Sequence, residues 1–351
     1  MTRHALGIAV LAVSLCSSGG PIAGQPPVPS DPSGIVIVEV RAEKPDGASA
    51  VGLGREDFEV TSDGEACPIE SFSAEHRPAT VVALFDVSAS CPLQPKLLKA
   101  AVEKHLIPSL RSGDRARFGT IGGRELVLNP QFSGGRKELL AAARILNLPD
   151  AFVIGSGGTP SSRASVFTSS GFKTSGRLPA VRLGPSPVWD GVFAAIAALQ
   201  PEPGCRAIIL LTDGRSTGNV YGLDEVIDRA MRAGVSINVI SEGAETLIPL
   251  NQTTAARVRP DVLLQAMADA TGGAHVSALD ALAAARDREP VDVVGALMTR
   301  LVVQLHESCV LGFSAPQLDG KWHRLEVRAR VPGVIVRARK GYLAGPTGSS
   351  G

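Results

Sequence analysis

The segment VVALFDVSASC, residues 81–91, is an apolar run that ends in oxygen-bearing side chains. Asp86, Ser88 and Ser90 occupy alternate positions, so one carboxylate and two hydroxyls lie close together along the chain. A second apolar run, RAIILLTDG, ends in another acid, Asp213. Hard oxygens with few carboxylates suit Mg²⁺, which usually keeps water or a partner's oxygen in its octahedral shell. The two segments therefore predict a divalent-metal site, provided that the fold brings them together.

The region that carries these oxygens alternates strand and helix patterns. TVVALFD and RAIILLTDG are continuous apolar runs, typical of strands buried on both faces of a parallel sheet. Residues 94–110 then show an apolar side chain at every fourth position, as on one face of a helix. The alternation over residues 80–307 predicts an α/β fold with a mainly parallel central sheet and helices on both faces. Ligands of such sheets bind at the carboxyl ends of strands where the strand order reverses, so we expect Asp86 and Asp213 to meet there.

Both ends of the chain have β-strand patterns instead. Residues 35–79 contain the alternating segment IVIVEVRA and a hairpin signal at Asp63-Gly64. Residues 308–344 contain three strand-like segments, CVLGFSAP, HRLEVRAR and VIVRARKG. We expect one small all-β domain built from both chain ends, in which the C-terminal segment pairs with the N-terminal one. The α/β domain would then be an insertion into it.

Four further segments fit neither pattern. Residues 1–24 combine a basic start, a short apolar run and small residues, which predicts a secretory signal peptide. A lipoprotein reading of Cys16 is the alternative, and the bulky residue before it disfavours that reading. Residues 25–34 predict a flexible leader, residues 345–351 a disordered tail, and the Gly- and Ser-rich residues 151–185 a disordered loop. The protein is therefore expected to be exported, whether periplasmic, at the cell surface or secreted.

Charge and hydropathy argue against nucleic-acid binding and against a membrane span in the rest of the chain. The chain has 35 Lys and Arg against 34 Asp and Glu, which lacks the basic excess of a nucleic-acid-binding protein. Beyond the signal segment, no stretch approaches the roughly 20 apolar residues that a membrane span needs.

The remaining cysteines do not indicate a metal site by themselves. Cys67, Cys91, Cys205 and Cys309 match no zinc-binding spacing, and the sequence leaves their pairing open. A disulfide between Cys67 and Cys309, which both lie in the β segments, is one alternative. We expect Cys91 to be a small packed thiol.

The residues described above resemble a known family. Asp-x-Ser-x-Ser after an apolar strand, with a later Thr-Asp-Gly, is similar to the metal-ion-dependent adhesion site (MIDAS) of von Willebrand factor A (VWFA) domains. The flanking segments VGLGREDFEVTSDGE and LGFSAPQLDGKWHRLEVRARVPGVIVRARKGYLA look like an exported, VWFA-related type known mostly from acidobacteria. The resemblance covers residues 35–344 and implies a Rossmann-like VWFA domain inserted in the β domain.

The resemblance also implies a third ligand loop. The family supplies a threonine hydroxyl there, and the matching segment GPSPVWDG has Ser186 in its place. Pro187 follows where alanine is common and restricts the backbone of Ser186. Cys91 stands where the family commonly has methionine. Asp190, in the first turn of the next helix, is expected to complement the helix dipole rather than bind metal.

The implied ligand set holds Mg²⁺, or Mn²⁺ or Ca²⁺ in its place; its residues are Asp86, Ser88, Ser90, Ser186 and Asp213. The expected function is metal-dependent binding of a protein that presents an Asp or Glu carboxylate to the ion. The protein would not be an enzyme, and neither the partner nor the oligomeric state follows from the sequence.

Two other functions remain as alternatives. One is a structural or assembly module of a cell-envelope complex with a vestigial metal site. The other is a serine hydrolase using Ser88 or Ser90, which the lack of a Gly-x-Ser-x-Gly motif disfavours.

Overall fold

The computed structural model describes residues 34–88, 90–91, 93–122, 125–147, 186–242, 246–249, 255–258 and 260–345. Four sequence predictions lie wholly or almost wholly outside these residues. They are the signal peptide, the leader, the Gly- and Ser-rich loop and the C-terminal tail.

The chain forms two structural units from the following elements. The strands are β1 (Ile35–Glu43), β2 (Phe58–Ser62), β3 (Glu65–Cys67), β4 (Ile69–Ser73), β5 (Ala79–Asp86), β6 (Arg115–Gly122), β7 (Glu125–Leu128), β8 (Cys205–Thr212), β9 (Ser236–Ser241), β10 (Thr246–Pro249), β11 (Ala255–Val258), β12 (His275–Ser277), β13 (Cys309–Ser314), β14 (Trp322–Ala329), β15 (Ile335–Arg337) and β16 (Gly341–Leu343). The helices are α1 (Pro95–Ala101), α2 (Ile107–Ser109), α3 (Arg136–Ala142), α4 (Val188–Leu199), α5 (Leu223–Ala233), α6 (Pro260–Thr271), α7 (Ala278–Ala284) and α8 (Pro290–His306). A π-helical turn, Val102–Leu106, joins α1 to α2.

The central sheet has the order β12-β9-β8-β5-β6-β7. All neighbouring strands are parallel except β7, which runs antiparallel to β6. Every residue of β5 and of β9 is buried, as continuous apolar runs require. Side chains of α1, α3, α7 and α8 form the core on one face, and those of α4, α5 and α6 form it on the other. The predicted α/β fold class is confirmed.

The position of β5 creates the switch point of this sheet. The chain continues from β5 to β6 on one side, and β8 joins β5 on the other side. The carboxyl ends of β5 and β8 therefore lie side by side where the winding direction reverses, which is where open α/β sheets bind ligands.

A β-sandwich contains strands from both ends of the chain. One sheet has the order β15-β1-β13-β4 and the other β16-β14-β2-β3. Strand β13 pairs antiparallel with β1 and with β4, so C-terminal and N-terminal segments share one sheet. Alternate residues of both sheets face a common core, in which the rings of Phe313 and Tyr342 meet edge to face at 5.4 Å. This unit is the small all-β domain of the predicted fold class.

Three details differ from the sequence expectations. The segment VIVRARKG is not one strand, because β15 pairs with β1 in one sheet and β16 pairs with β14 in the other. Helix α7 and the hairpin of β10 and β11 were not predicted. Helix α7 has only seven residues, and its start is fixed by the Ser277 hydroxyl, which accepts a hydrogen bond from the Asp280 amide.

The four cysteines in the described part of the chain form no disulfide. Cys67, Cys91, Cys205 and Cys309 are free thiols, so the Cys67–Cys309 alternative is not observed. Strand β3 lies at the edge of one sheet and β13 in the middle of the other, which separates these two residues.

None of the helices in the described part of the chain has the length and apolar character needed to cross a membrane.

A histidine of the sandwich forms hydrogen bonds with two carboxylates. His323 Nδ1 lies 2.7 Å from Asp63 Oδ2, and its Nε2 lies 2.9 Å from Asp319 Oδ1. The hydrogen bonds with Asp319 and Asp63 raise the pKa of His323 above 6.5. A raised folded-state pKa means that the charged histidine stabilises the fold fully below 6.5 and that this stabilisation is lost as pH rises through the folded value.

We therefore expect His323→Gln to lower the melting temperature most in mildly acidic buffer. The deficit relative to the unmodified protein should shrink as the buffer is made alkaline, because the histidine loses its charge there. Melting curves across this pH range measure the difference, and an equal deficit at every pH would contradict the charged-pair interpretation.

Candidate metal centre

Asp86 is the last residue of β5 and lies at the switch point with 0% of its surface exposed. Its Oδ1 accepts hydrogen bonds from the Ser88 amide at 3.0 Å and from the Ser186 hydroxyl at 3.1 Å. Its Oδ2 accepts one from the Thr212 hydroxyl at 2.8 Å. Burial raises the pKa of Asp86, and the nearby charge of Asp213 adds to this, while the bonds from Ser88 and Thr212 oppose it.

Ser88 and Ser90 lie in the turn that follows β5. Their Oγ atoms are 3.0 Å apart, and the Ser88 Oγ is 3.6 Å from the Cys91 sulfur. The Cys91 amide donates to the Ser88 carbonyl and so closes the turn. Both hydroxyls are only partly buried. They can therefore exchange the bond between them for an ion at this edge of the sheet.

Asp213 follows β8 and provides the second carboxylate. Only 2% of its surface is exposed. Its Oδ1 accepts a hydrogen bond from the Arg215 amide at 2.9 Å, whereas its buried Oδ2 accepts none. The Arg215 Nε lies 3.6 Å from that Oδ2. A buried carboxylate oxygen without a hydrogen bond is costly, so a cation bound at this oxygen would offset that cost.

The loop that carries Asp213 is tied to helix α6. Gly214 has φ of +75°, a left-handed conformation that favours glycine. An added Cβ there would come within 2.6 Å of Pro260 and 3.0 Å of Leu264. The turn must therefore pass close to α6, and this fixes where the Asp213 carboxylate points.

Ser186 occupies the third loop, and its hydroxyl donates to Asp86. Two hydrogen bonds, together called the clamp, join its backbone to the loop after β8. The Ser186 amide donates to the Thr217 hydroxyl at 3.1 Å, and the Thr217 amide donates back to the Ser186 carbonyl at 2.8 Å. Ser186 thus lies beside the β5 acid, as the resemblance implies.

The hydroxyl of Ser186 is not an N-cap of helix α4. The N-cap residue is Pro187, which offers no side-chain hydrogen bond. The first amides of α4 bond instead to the loop after β8: Val188 donates to the Ser216 hydroxyl at 3.0 Å and Trp189 to Asn219 Oδ1 at 3.0 Å. The Ser186 side chain therefore remains available to the site.

Asp190 does not contribute to this group of oxygens. Its carboxylate accepts hydrogen bonds from the amides of Val220 and Tyr221 at 2.9 to 3.0 Å. It therefore fastens the segment before α5 to the first turn of α4.

We expect Asp190→Ala to lower the free energy of unfolding by about 1–2 kcal/mol, because two amides lose a charged acceptor. The affinity for a divalent ion should change little. Asp224→Ala is the matched control, since Asp224 is an exposed acid in the first turn of α5. A loss of metal affinity in Asp190→Ala at unchanged stability would place Asp190 in the site instead.

The charged and thiol groups at this edge lie within reach of one ion. One ligand atom from each of Asp86, Cys91 and Asp213 lies within 4.8 Å of the other two. Burial raises the pKa of Cys91 well above its usual value, so the thiol is protonated before any metal binds. The remaining donors are carboxylate and hydroxyl oxygens, so the site fits a hard divalent cation such as Mg²⁺.

The sequence interpretation missed a third buried acid at this edge. Glu242 follows β9, and 1% of its surface is exposed. Its Oε2 accepts a hydrogen bond from the Leu93 amide at 3.0 Å, and its buried Oε1 accepts none. Burial raises the pKa of Glu242 to about 8, and the charges of Asp86 and Asp213 contribute. The signal was present, because SINVISE is also an apolar run that ends in an acid.

Comparisons of the sequence with protein-family models and with curated proteins give no match. Comparisons of the structure give several similar folds. BatB from Bacteroides thetaiotaomicron has 15% identity and a TM-score of 0.41 over 65% of this chain and 98% of its own. A von Willebrand factor type A protein from Catenulispora acidiphila has 13% identity and a TM-score of 0.42 over 89% and 73%. Proximal thread matrix protein 1 from the mussel byssus, whose MIDAS motif is occupied by zinc, has 16% identity and a TM-score of 0.42 over 68% and 48%.

The sheet and loops of this chain have the arrangement that the sequence resemblance implies. The described strands form a mainly parallel sheet with the antiparallel strand β7 at one edge, and three loops meet beside Asp86. The α/β unit therefore has the Rossmann-like fold expected of a VWFA-type domain, and it is inserted between the strands of the β-sandwich.

Proposed function

We propose that this protein is an exported, non-catalytic binding protein whose VWFA-type domain holds a divalent cation and, through it, a carboxylate of a partner protein. The observation that carries the proposal is the Asp213 Oδ2, a buried carboxylate oxygen that accepts no hydrogen bond at the switch point of the sheet. A second buried carboxylate, that of Asp86, lies beside it.

The roles of the residues follow from their charges and contacts. Asp86 and Asp213 supply two negative charges, and Ser88, Ser90 and Ser186 supply neutral hydroxyls. When bound, a hard divalent ion such as Mg²⁺ would supply a positive centre with a coordination position left for an oxygen of the partner. The protein's task is to hold its own oxygens in place, and the clamp between Ser186 and Thr217 serves that purpose.

Apolar side chains near the metal centre support a protein partner. Val220, on the segment that Asp190 fastens, is 72% exposed. Val262 and Leu263 are exposed on the first turns of α6, the helix that the Asp213 loop contacts. Apolar side chains are enriched in the buried core of protein interfaces, so these exposed residues could contact a protein partner.

The proposal is tested with peptides of defined charge. Immobilised peptides that present a single Asp or Glu are compared with the same peptides carrying Asn or Gln, in Mg²⁺ and in chelator. The proposal predicts binding to a subset of the acidic peptides in Mg²⁺, loss of that binding in chelator, and no binding by Asp213→Asn. Binding that is equally strong in chelator, or an absence of any acidic preference, would refute it.

The vestigial-site alternative gives a different result. It predicts that Mg²⁺ and Mn²⁺ leave the melting temperature unchanged, because an ion that does not bind the folded state cannot stabilise it. The hydrolase alternative gains no support from the geometry, since the described contacts of the Ser88 side chain are with Asp86, Ser90 and Cys91 and include no histidine. A serine-reactive phosphonate probe should label neither serine.

A further inference from the structure

A cleft lies between the α/β domain and the β-sandwich, away from the metal centre. Its volume is about 130 Å³. Its walls come from β1, from the first residues of β8 and β9, and from the C-terminal ends of α5 and α6. The parallel strands β8 and β9 begin here and end at the metal centre, so the two features lie at opposite edges of the sheet.

The side chains that line the cleft are strongly biased in charge. Arg41, Arg77, Arg206 and Arg339 all line it, against a single acid, Glu39. That acid is already engaged, because its Oε2 pairs with Arg77 at 2.8 Å and its Oε1 accepts a hydrogen bond from the Cys205 thiol at 3.0 Å. The positive charge of the cleft therefore exceeds what the lining residues compensate.

The other three arginines bond to neutral acceptors. Arg41 donates to the Asn238 side-chain oxygen and to the Gly272 carbonyl. Arg206 donates to the Gln200 carbonyl at 2.9 Å.

Arg339 donates to the Ile37 carbonyl at 2.8 Å and to the Met231 carbonyl at 3.4 Å. Its Nε is buried and has no hydrogen-bond partner. Burial lowers the pKa of Arg339 to about 10, and the charge of Arg206 adds to this. Burial likewise lowers the pKa of Arg206. The charge of Glu39 offsets part of the shift at Arg206, whereas burial and Arg206 both act against the charge of Arg339.

We propose that this cleft binds a small oxyanion of the phosphate class. Guanidinium groups match the oxygens of such ions with strong, charge-assisted hydrogen bonds. An ion with two negative charges compensates three arginines better than a single carboxylate does. A cleft of about 130 Å³ has room for a small ion of this class.

A purely structural role explains only part of this arrangement. Cations near helix C-termini are favourable, and Arg41, Arg206 and Arg339 all bond to carbonyls at the ends of α6, α4 and α5. Capping does not account for the unpartnered Nε of Arg339, nor for the convergence of four arginines on one cleft that is lined by a single acid. An anion held by Arg206 and by Arg339 would bridge the α/β domain and the C-terminal segment of the sandwich.

The test uses the full mature chain in chelator, which removes metal–phosphate complexes. Calorimetric titration and melting curves compare inorganic phosphate with acetate and chloride at one ionic strength. We expect phosphate to bind in a saturable way and to raise the melting temperature above that in acetate or chloride. Arg206→Gln and Arg339→Gln should each weaken phosphate binding by about tenfold or more, the loss of one charged hydrogen bond.

Arg328→Gln is the matched control, because Arg328 is an exposed arginine of the sandwich that pairs with Glu326. It should bind phosphate as the unmodified protein does. The proposal is overturned if phosphate has no more effect than chloride, or if Arg328→Gln weakens binding as much as Arg206→Gln. If the arginines only join the two units, Arg206→Gln should lower the melting temperature while phosphate leaves that of the unmodified protein unchanged. This result would also overturn the proposal.

Discussion

Asp86→Asn is expected to abolish stabilisation of this protein by Mg²⁺. An ion at a hundredfold excess over its Kd stabilises a folded protein by about 2.7 kcal/mol. Each kcal/mol raises the melting temperature of a domain of 150–250 residues by roughly 2–4 °C, so saturating Mg²⁺ should raise that of the unmodified protein by about 5–10 °C. The variant should show no such rise, because it loses a charge at the centre of the site and its affinity falls by more than the roughly 10–100-fold that loss of an outer-shell partner costs.

The same substitution separates metal binding from folding. Asparagine keeps an oxygen for the Ser88 amide and the Ser186 hydroxyl, and the Thr212 hydroxyl can turn to accept from its amide group. It also removes one of two neighbouring buried carboxylates. The metal-free variant should therefore melt no earlier than the metal-free unmodified protein.

Asp224→Asn, which changes an exposed acid, should retain the full response to Mg²⁺. An Asp86→Asn protein that Mg²⁺ stabilises normally would show that Asp86 is not a ligand. Equal loss of the response in both variants would point to a non-specific charge effect.

Glu242→Gln is expected to change how stability depends on pH. The folded protein retains the Glu242 proton up to about pH 8, while the unfolded chain releases it near 4.5. Because the folded-state pKa is raised, stability falls as pH increases from 4.5 towards 8. Glutamine has no proton to lose, so the variant should show a smaller decline and should be more stable than the unmodified protein at pH 8.

The experiment is done in chelator, so that no ion near the Asp86 and Asp213 carboxylates alters the Glu242 carboxyl. Urea unfolding at several pH values provides the free energies. Glu307→Gln, at an exposed position after α8, is the control and should leave the pH dependence unchanged. If Glu242→Gln were less stable than the unmodified protein at every pH, Glu242 would be a stabilising charge rather than a buried acid that favours protonation.

The sheet was predictable because its strands are apolar on both faces. Two continuous apolar runs, TVVALFD and RAIILLTDG, are typical of buried parallel strands, and the acids at their ends meet at the switch point. Pairing of the C-terminal β segment with the N-terminal one was also expected, and β13 pairs with β1. These features depend on local pattern and on general rules of chain topology.

Other features depend on contacts between distant segments, which a local pattern does not contain. Glu242 directly follows a strand, as Asp213 does, but only the fold shows that its carboxyl group accepts a hydrogen bond from the Leu93 amide. The caps of α4 come from Ser216 and Asn219, about 30 residues further along the chain, where no capping motif could indicate them. The arginine-lined cleft likewise forms only where the two structural units meet.

The central claim is that the site holds a divalent ion with a coordination position open to a carboxylate. Water-proton relaxation with Mn²⁺ tests it most directly, because bound Mn²⁺ relaxes water strongly only while it retains exchangeable water. The account predicts enhanced relaxation with the chelator-stripped protein, a decrease when acetate is added, and no enhancement with Asp86→Asn. Relaxation equal to that of free Mn²⁺, or an enhancement that acetate leaves unchanged, would contradict it.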